Sequence, residues 1–167
     1  YIDRAVAYAR MPDVIVCTYG DLLRVPGSGD SLYDQRGEGS DIRMVYSLLE
    51  ALRVARENPN RRVVFLGIGF ETTAPASAVG ILQVDRARLS NFFVLSTHKL
   101  MPPAMDAIAE DGVAIDGFLC PGHVSTITGS AMYRQLAEDY GLACVVSGFE
   151  PSDILQSILM LITQLEE

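Results

Sequence analysis

Short apolar runs alternate along the chain with segments whose apolar positions recur at a helical period. The runs show no regular polar alternation, which is typical of strands buried on both faces of a parallel sheet. Arg43 interrupts the second run, which could instead open the following helix. The predicted strands are Val14 to Cys17, Ile42 to Tyr46, Val63 to Ile68, Phe92 to Leu95, Gly117 to Cys120 and Ala143 to Val146.

Between the runs, apolar stripes with helical spacing predict helices that pack their Leu and Met side chains into the core. The stripes are Ile2, Val6 and Ala9; Leu48, Leu52 and Ala55; Ala104, Met105 and Ile108; Met132, Leu136 and Tyr140; and Ile154, Leu155, Ile158, Leu159, Ile162 and Leu165. The alternation predicts an α/β fold. We expect an open, doubly wound, mostly parallel, Rossmann-like sheet of about five to six strands with helices on both faces.

One long polar stretch, Val25 to Asp41, is rich in Gly, Ser and Asp and is predicted to be a loop. A loop of that length in a compact domain is more often functional or mobile than accidental. The first predicted helix has no strand before it, which suggests that the sequence begins inside a larger protein.

Composition and charge narrow the classes of partner. The chain has 167 residues, of which 49% are apolar and 20% are charged, and its net charge is −8. Such an acidic chain has no electrostatic reason to bind nucleic acid or an anionic membrane. Its three cysteines are far apart in apolar runs, so we expect reduced, buried thiols and a cytoplasmic protein.

Residues that directly follow the strands are the candidates for chemistry, because ligands bind beyond the carboxyl ends of the strands in open α/β sheets. The segments are Thr18 to Asp21, Gly69 to Thr73, Ser96 to Lys99, Pro121 to His123 and Gly148 to Glu150. They contain both histidines of the chain. The alternative is that these are ordinary solvated loop ends, with histidines that only hydrogen-bond neighbouring amides. His98 precedes a helix whose dipole disfavours a protonated ring, so we expect a neutral imidazole.

Other local patterns are less informative. Cys120 and His123 have the spacing of half a zinc site, but no second pair exists in the sequence, and Cys120 is predicted to be a buried strand residue. The glycines of PGSGDS and GIGFETTA fit neither a phosphate-binding loop nor a dinucleotide fingerprint, so no nucleotide is predicted.

Several longer motifs resemble those of the HypD family of hydrogenase maturation proteins. They are TYGDLLRVPGS (18–28), DIRMVYSLLEALRVARENPNRRVVFLGIGFETTAP (41–75), THKLMPPAM (97–105), IDGFLCPGHVS (115–125) and SGFEPSDIL (147–155). The resemblance runs through most of the chain.

The resemblance implies a scaffold for assembly of the Fe(CN)2CO centre of [NiFe] hydrogenases. It would act with a HypC-like chaperone and a HypE-like cyanide donor. It also implies iron and a [4Fe-4S] cluster in the full-length protein, but the family's ligating cysteine motifs are absent from this sequence. Residues 1–20 would be the tail of a first α/β domain truncated at its N-terminus, and residues 21–167 most or all of a second.

The resemblance further implies that the matching motifs face an assembly cleft. Candidates for proton transfer or ligand orientation are His98, His123 and Glu71. Candidates for contact with the iron complex or a partner are Thr72, Thr73, Lys99, Pro102, Pro121 and Gly122. An alternative is a stand-alone hydrolase or transferase with a histidine general base and a Glu71 orienter, although no nucleophile elbow is present.

Overall fold

The computed structural model describes residues 1–112 and 114–166. All six predicted strands are present, each within two residues of its expected bounds. They are β1 (Val14–Thr18), β2 (Ile42–Met44), β3 (Arg62–Gly67), β4 (Phe92–Ser96), β5 (Gly117–Pro121) and β6 (Ala143–Ser147). Every strand pair is parallel, and helices flank the strands, so the α/β fold class is confirmed.

Helices connect these strands throughout. They are α1 (Ile2–Ala9), α2 (Leu32–Gly37), α3 (Leu48–Glu57), α4 (Ala74–Arg86), α5 (Met101–Glu110), α6 (Gly122–Thr128), α7 (Arg134–Tyr140) and α8 (Pro151–Glu166). Their ends follow from local chemistry. Ser47 caps α3 by accepting from the Glu50 amide, and α7 ends at Gly141 in the left-handed conformation. None of the described helices is both long and apolar enough to cross a membrane.

The chain divides into two compact units. The first, residues 1–69 and 73–98, contains a four-stranded sheet in the order β2-β1-β3-β4. Alternate residues of its central strands enter different cores: Val16 and Leu66 pack with α1 and α2, whereas Cys17 and Phe65 pack with α3. All five residues of β1 are buried. The unit therefore has helices on both faces of its sheet, as predicted.

The second unit contains residues 70–72 and 99–167. Its sheet consists of β5 and β6, paired in parallel. Met105, Cys120, Tyr133 and Leu136 form its buried core, and α8 packs against both strands. The predicted division at residue 20 into a first-domain tail and a second domain stays a prediction.

Two sequence predictions differ from the structure. The predicted loop between Val25 and Asp41 contains α2, which begins with a capping box in which Ser31 and Asp34 satisfy each other's backbone amides. A six-residue helix is too short to show a periodic stripe, so the pattern hid it.

The second difference is the apolar stripe of α8, which was predicted to be core. Leu155 is 69% exposed and Leu159 65% exposed, and Ser157 is the residue of the helix that is buried. A sheet of two strands offers α8 one narrow face to cover, so apolar side chains on its other sides stay exposed.

Candidate functional site

A cleft of about 610 Å³ lies beyond the carboxyl ends of β1, β2 and β3 in the first unit. Its lining residues are Tyr19, Gly20, Asp21, Leu22, Val45, Tyr46, Ile68, Gly69 and Thr73. The strand order reverses between β1 and β3, since β2 lies on one side of β1 and β3 on the other. That point is where open α/β sheets bind ligands, so the cleft occupies the position expected for a site.

A sharp turn after β3 brings Thr73 into the wall of the cleft. Gly69 has φ +136, and a Cβ there would lie 2.0 Å from Thr73 Oγ1, so glycine is required on two grounds. Thr73 is the N-cap of α4, but its side chain makes no capping bond and instead donates to the carbonyl of Ile68 at 3.5 Å.

Tyr19 contributes the phenol of the cleft. Its ring packs edge-on against Phe65, with ring centroids 5.5 Å apart. Burial, with a smaller contribution from the charge of Asp21, raises the pKa of Tyr19. The phenol is therefore a hydrogen-bond donor at neutral pH, and it stands close to an exposed carboxylate that can only accept.

His98 lies in the same unit, just after β4. Its Nε2 is 3.2 Å from Ser77 Oγ of α4, and its Nδ1 is 3.1 Å from Ser96 Oγ. Burial lowers the pKa of His98, which agrees with the neutral imidazole expected from the sequence. Both ring nitrogens have serine partners. The Glu71 carboxylate, which would orient the histidine in the alternative enzyme hypothesis, is therefore not among the hydrogen-bond partners of this ring.

Glu71 belongs to the second unit and lies at the start of α5. One carboxylate oxygen, Oε1, accepts from the Met101 amide at 2.9 Å, while Oε2 is buried with no hydrogen-bond partner among the described residues. The next two residues, Pro102 and Pro103, have no amide hydrogen. The carboxylate of Glu71 thus occupies the N-terminus of α5, where the helix dipole favours a negative charge.

The ends of β5 and β6 form a second group of candidates. Gly122 packs so closely against β6 that a Cβ would lie 2.5 Å from the carbonyl oxygen of Ser147. His123, in the first turn of α6, is exposed and packs against Phe149 with ring centroids 5.1 Å apart and the ring planes tilted by 43°. Ser125 lies inside α6, where its hydroxyl donates to the carbonyl of Pro121.

The candidates do not gather along one edge of one sheet. Thr73 and His98 lie in the first unit, whereas Glu71, Thr72, Lys99, Pro102, Pro121, Gly122 and His123 lie in the second. The described strands form two sheets, one in each unit. Thr72 and Lys99 are exposed.

The cysteines do not fit an iron–sulfur cluster. Cys17 and Cys120 are fully buried, and burial raises the pKa of each thiol to about 12. Burial also raises the pKa of Cys144. No three His, Cys, Asp or Glu side chains meet as a metal site within residues 1–112 and 114–166. A four-thiolate ligand set is therefore not supplied by the described residues.

Sequence reasoning missed Tyr46 of the cleft. Tyr19 and Asp21 follow β1 directly, and the strand-end rule placed them in a candidate segment, although neither was named among the candidate site residues. Tyr46 was assigned to the end of a strand, but β2 stops at Met44, and the tyrosine is 81% exposed beyond it. The predicted strand was two residues too long, so it included Tyr46, which in fact follows the strand.

Comparison with known proteins identifies the family. The family model "HypD: Hydrogenase formation hypA family" matches residues 1–167. The "Hydrogenase maturation factor HypD2" of Bradyrhizobium diazoefficiens is 51% identical over 174 residues, which cover 99% of this chain and 46% of that protein.

Two further relatives carry HypD names as well. The "Hydrogenase maturation factor HypD" of Rhodobacter capsulatus is 49% identical over 167 residues, covering 99% of this chain and 44% of that protein. The protein of the same name from Escherichia coli is 44% identical over 164 residues, which cover 98% of this chain and 44% of that protein. The chain thus spans less than half the length of the curated relatives it matches. With a family match over its whole length, the chain belongs to the HypD family of hydrogenase formation proteins.

Proposed function

We propose that this chain is part of a scaffold on which the Fe(CN)2CO centre of [NiFe] hydrogenases is assembled. The family match over residues 1–167 is the observation that carries the proposal. In the full-length protein, a HypC-like chaperone and a HypE-like cyanide donor would be the partners, and the cytoplasm the compartment. The iron complex is the cargo of this scaffold, and a [4Fe-4S] cluster would be held by residues outside this sequence.

The cleft beyond β1 and β3 is the part of the first unit that we assign to the cargo or to the partner that carries it. Tyr19 and Asp21 offer a donor beside an acceptor, and Tyr46 exposes an aromatic surface at the rim. The cleft is open and its polar lining groups are hydrogen-bonding groups, with no cysteine or serine and no metal-ligand set among the described lining residues. Such a surface suits holding and orienting a preformed group, which is what a scaffold requires.

Within the second unit, Glu71, Pro102, Pro121, Gly122 and His123 are the residues that we assign to the same task. Glu71 fixes the first turn of α5, and the close packing of Gly122 on Ser147 fixes the first turn of α6. His123 is exposed and is the member of this group best able to exchange protons with a ligand. Lys99, Thr72 and Thr73 complete the proposed contact set.

The test is anaerobic purification of the full-length protein with its HypC-like partner, followed by infrared spectroscopy of iron-bound cyanide and carbon monoxide. Asp21→Asn should weaken the bands by about tenfold or more, since a hydrogen bond to a charged group contributes about 1.5–3 kcal/mol. Asp85→Asn, which changes an exposed carboxylate of α4 outside the cleft, is the matched control. Wild-type bands in Asp21→Asn would remove the cleft from the proposal, and no bands in the wild-type complex would overturn the scaffold function itself.

A further inference from the structure

The imidazole of His98 is clamped by three elements of the first unit. Ser96 ends β4 and faces Nδ1, Ser77 of α4 faces Nε2, and Gly67 ends β3 beneath the ring edge. A Cβ at Gly67 would lie 3.1 Å from His98 Cε1, which is tighter than ordinary packing allows. The ring edge thus lies close to the backbone at Gly67, and its two nitrogens point at two hydroxyl groups.

The clamp favours an uncharged ring. The groups that face the ring from α4 and β4 are hydroxyls, and the one from β3 is a glycine. Burial is the cause of the lowered pKa of His98, and no carboxylate offsets it. A neutral imidazole has one N–H and one lone pair, so one serine must donate to the ring and the other must accept from it.

Burial decides which serine does which. Ser77 is only 4% exposed, so its hydroxyl hydrogen needs an acceptor inside the protein, and Nε2 provides one. Ser96 is exposed, so its own hydrogen can go to water while its oxygen accepts from the ring. In this arrangement, every polar hydrogen of the three side chains has an acceptor. In the reverse arrangement, the buried hydroxyl hydrogen of Ser77 loses the ring nitrogen as its acceptor.

We propose that Ser77 and Ser96 are positioning residues that hold His98 as the neutral Nδ1–H tautomer, with Ser77 donating to Nε2 and Ser96 accepting from Nδ1. Ser77 lies one helical turn after Thr73, and its amide donates to the Thr73 carbonyl at 3.3 Å. His98 thus ties the end of β4 to the turn of α4 that forms the cleft wall. The role of this link in iron-centre assembly rests on the proposed function, whereas the assigned tautomer of His98 is independent of it.

The assignment makes His98 a positioning residue and not the proton carrier expected from the sequence. With its Nε2 lone pair engaged by a buried hydroxyl, the ring has no free lone pair to offer a metal or a substrate proton. A glutamine at this position could keep hydrogen bonds to hydroxyl partners, although it cannot titrate near neutral pH. Replacement by glutamine therefore separates a positioning role from proton transfer.

The direct test is nuclear magnetic resonance of the full-length protein labelled with ¹⁵N-histidine, with His98 assigned by comparison with His98→Gln. We expect the nitrogen shifts of the Nδ1–H tautomer at neutral pH and a pKa of His98 below the ordinary value of about 6.5. The Nε2–H tautomer in the wild-type protein would overturn the proposal, and this result needs no variant and no partner.

Substitutions then test the two serines separately. Donation to Nε2 stabilises only the neutral ring, so Ser77→Ala should raise the pKa of His98 and mix the tautomers. Acceptance from Nδ1 persists in both charge states, so Ser96→Ala should not raise the pKa. Ser90→Ala, at an exposed serine of the same unit, is the control and should match the wild type. An unchanged pKa and tautomer in Ser77→Ala would contradict the proposal.

The infrared assay links the clamp to the cleft. His98→Gln should retain most of the cyanide and carbon monoxide bands, and His98→Ala should lose them. Equal loss in both variants would assign proton transfer to the ring and overturn the positioning role. Because the tautomer is measured without cargo, absence of bands in the wild type alongside the expected tautomer would count against the proposed function alone.

Discussion

At the scale of single residues, two glutamates in similar sequence contexts differ in burial and partners. GIGFETTAP and VSGFEPSDI both run from a strand through Gly-Phe-Glu to a helix containing proline. Glu71 is 9% exposed and binds the Met101 amide, whereas Glu150 is exposed at the start of α8. The repeated pattern indicates two similar strand-to-helix turns. It does not reveal that the amide of Met101, which is distant in the sequence, binds the carboxylate of Glu71 and not that of Glu150.

Replacing each glutamate by glutamine tests that difference. In Glu71→Gln the amide oxygen can still accept from Met101, but the charge at the α5 terminus is lost and an NH2 group enters the buried position of Oε2. We expect a loss of about 1–3 kcal/mol in the free energy of unfolding, measured with urea. Glu150→Gln is the matched control and should leave stability unchanged. Equal stability of the two variants would show that Glu71 does not stabilise α5.

At the scale of elements, all six strands were predicted because each coincides with a short, mostly apolar run. Apolar stripes predicted α1, α3, α5, α7 and α8, but none was identified for α2, α4 or α6. Of these, α2 is defined by a cap and not by a stripe. For the site, the strand-end rule supplied Tyr19, Asp21 and His98. It could not supply Ser77, because the partner of a histidine ring depends on how α4 crosses the sheet and not on the sequence near His98.

The start of the sheet in the first unit contains an ion network that joins three strands. The guanidinium of Arg43 donates two hydrogen bonds to the Asp41 carboxylate. The guanidinium of Arg61 donates one hydrogen bond to the same carboxylate and one to the carbonyl of Val14 at the start of β1. The neighbouring Arg43, with help from Arg61, holds the pKa of Asp41 below its usual range. Folding therefore favours the ionised carboxylate.

Asp41→Asn tests this network through its dependence on pH. Because the folded pKa is lowered, the stabilisation is present above the unfolded value of about 3.9 and is lost as the pH falls through the folded pKa. Wild type should be more stable than Asp41→Asn at pH 7 in urea unfolding, and the gap should shrink toward pH 3. Arg53→Gln, which removes only exposed pairs on α3, should resemble the wild type at pH 7. A gap that stays constant with pH would contradict the assignment.

At the scale of the whole molecule, the two compact units differ in the cores that they bury. The first unit has two hydrophobic clusters, one on each face of a four-stranded sheet, and buries long runs of β1 and β3. The second has a single cluster whose buried members are Met105, Cys120, Tyr133 and Leu136, under a sheet of two strands. Since stabilisation by burial scales with the apolar area removed from water, we expect the first unit to be the more stable.

Each unit contains one fully buried cysteine, which makes the prediction measurable without substitutions. Cys17 lies in β1 of the first unit and Cys120 in β5 of the second, and both thiols are 0% exposed. Pulsed alkylation in increasing urea, with peptides quantified by mass spectrometry, should label Cys120 at lower urea concentrations than Cys17. Cys144, which is only partly buried, should react first of the three and serves as the internal control for reagent access. Labelling of Cys17 before Cys120 would show that the larger core is not the more stable, and labelling of both at one urea concentration would show a single cooperative transition.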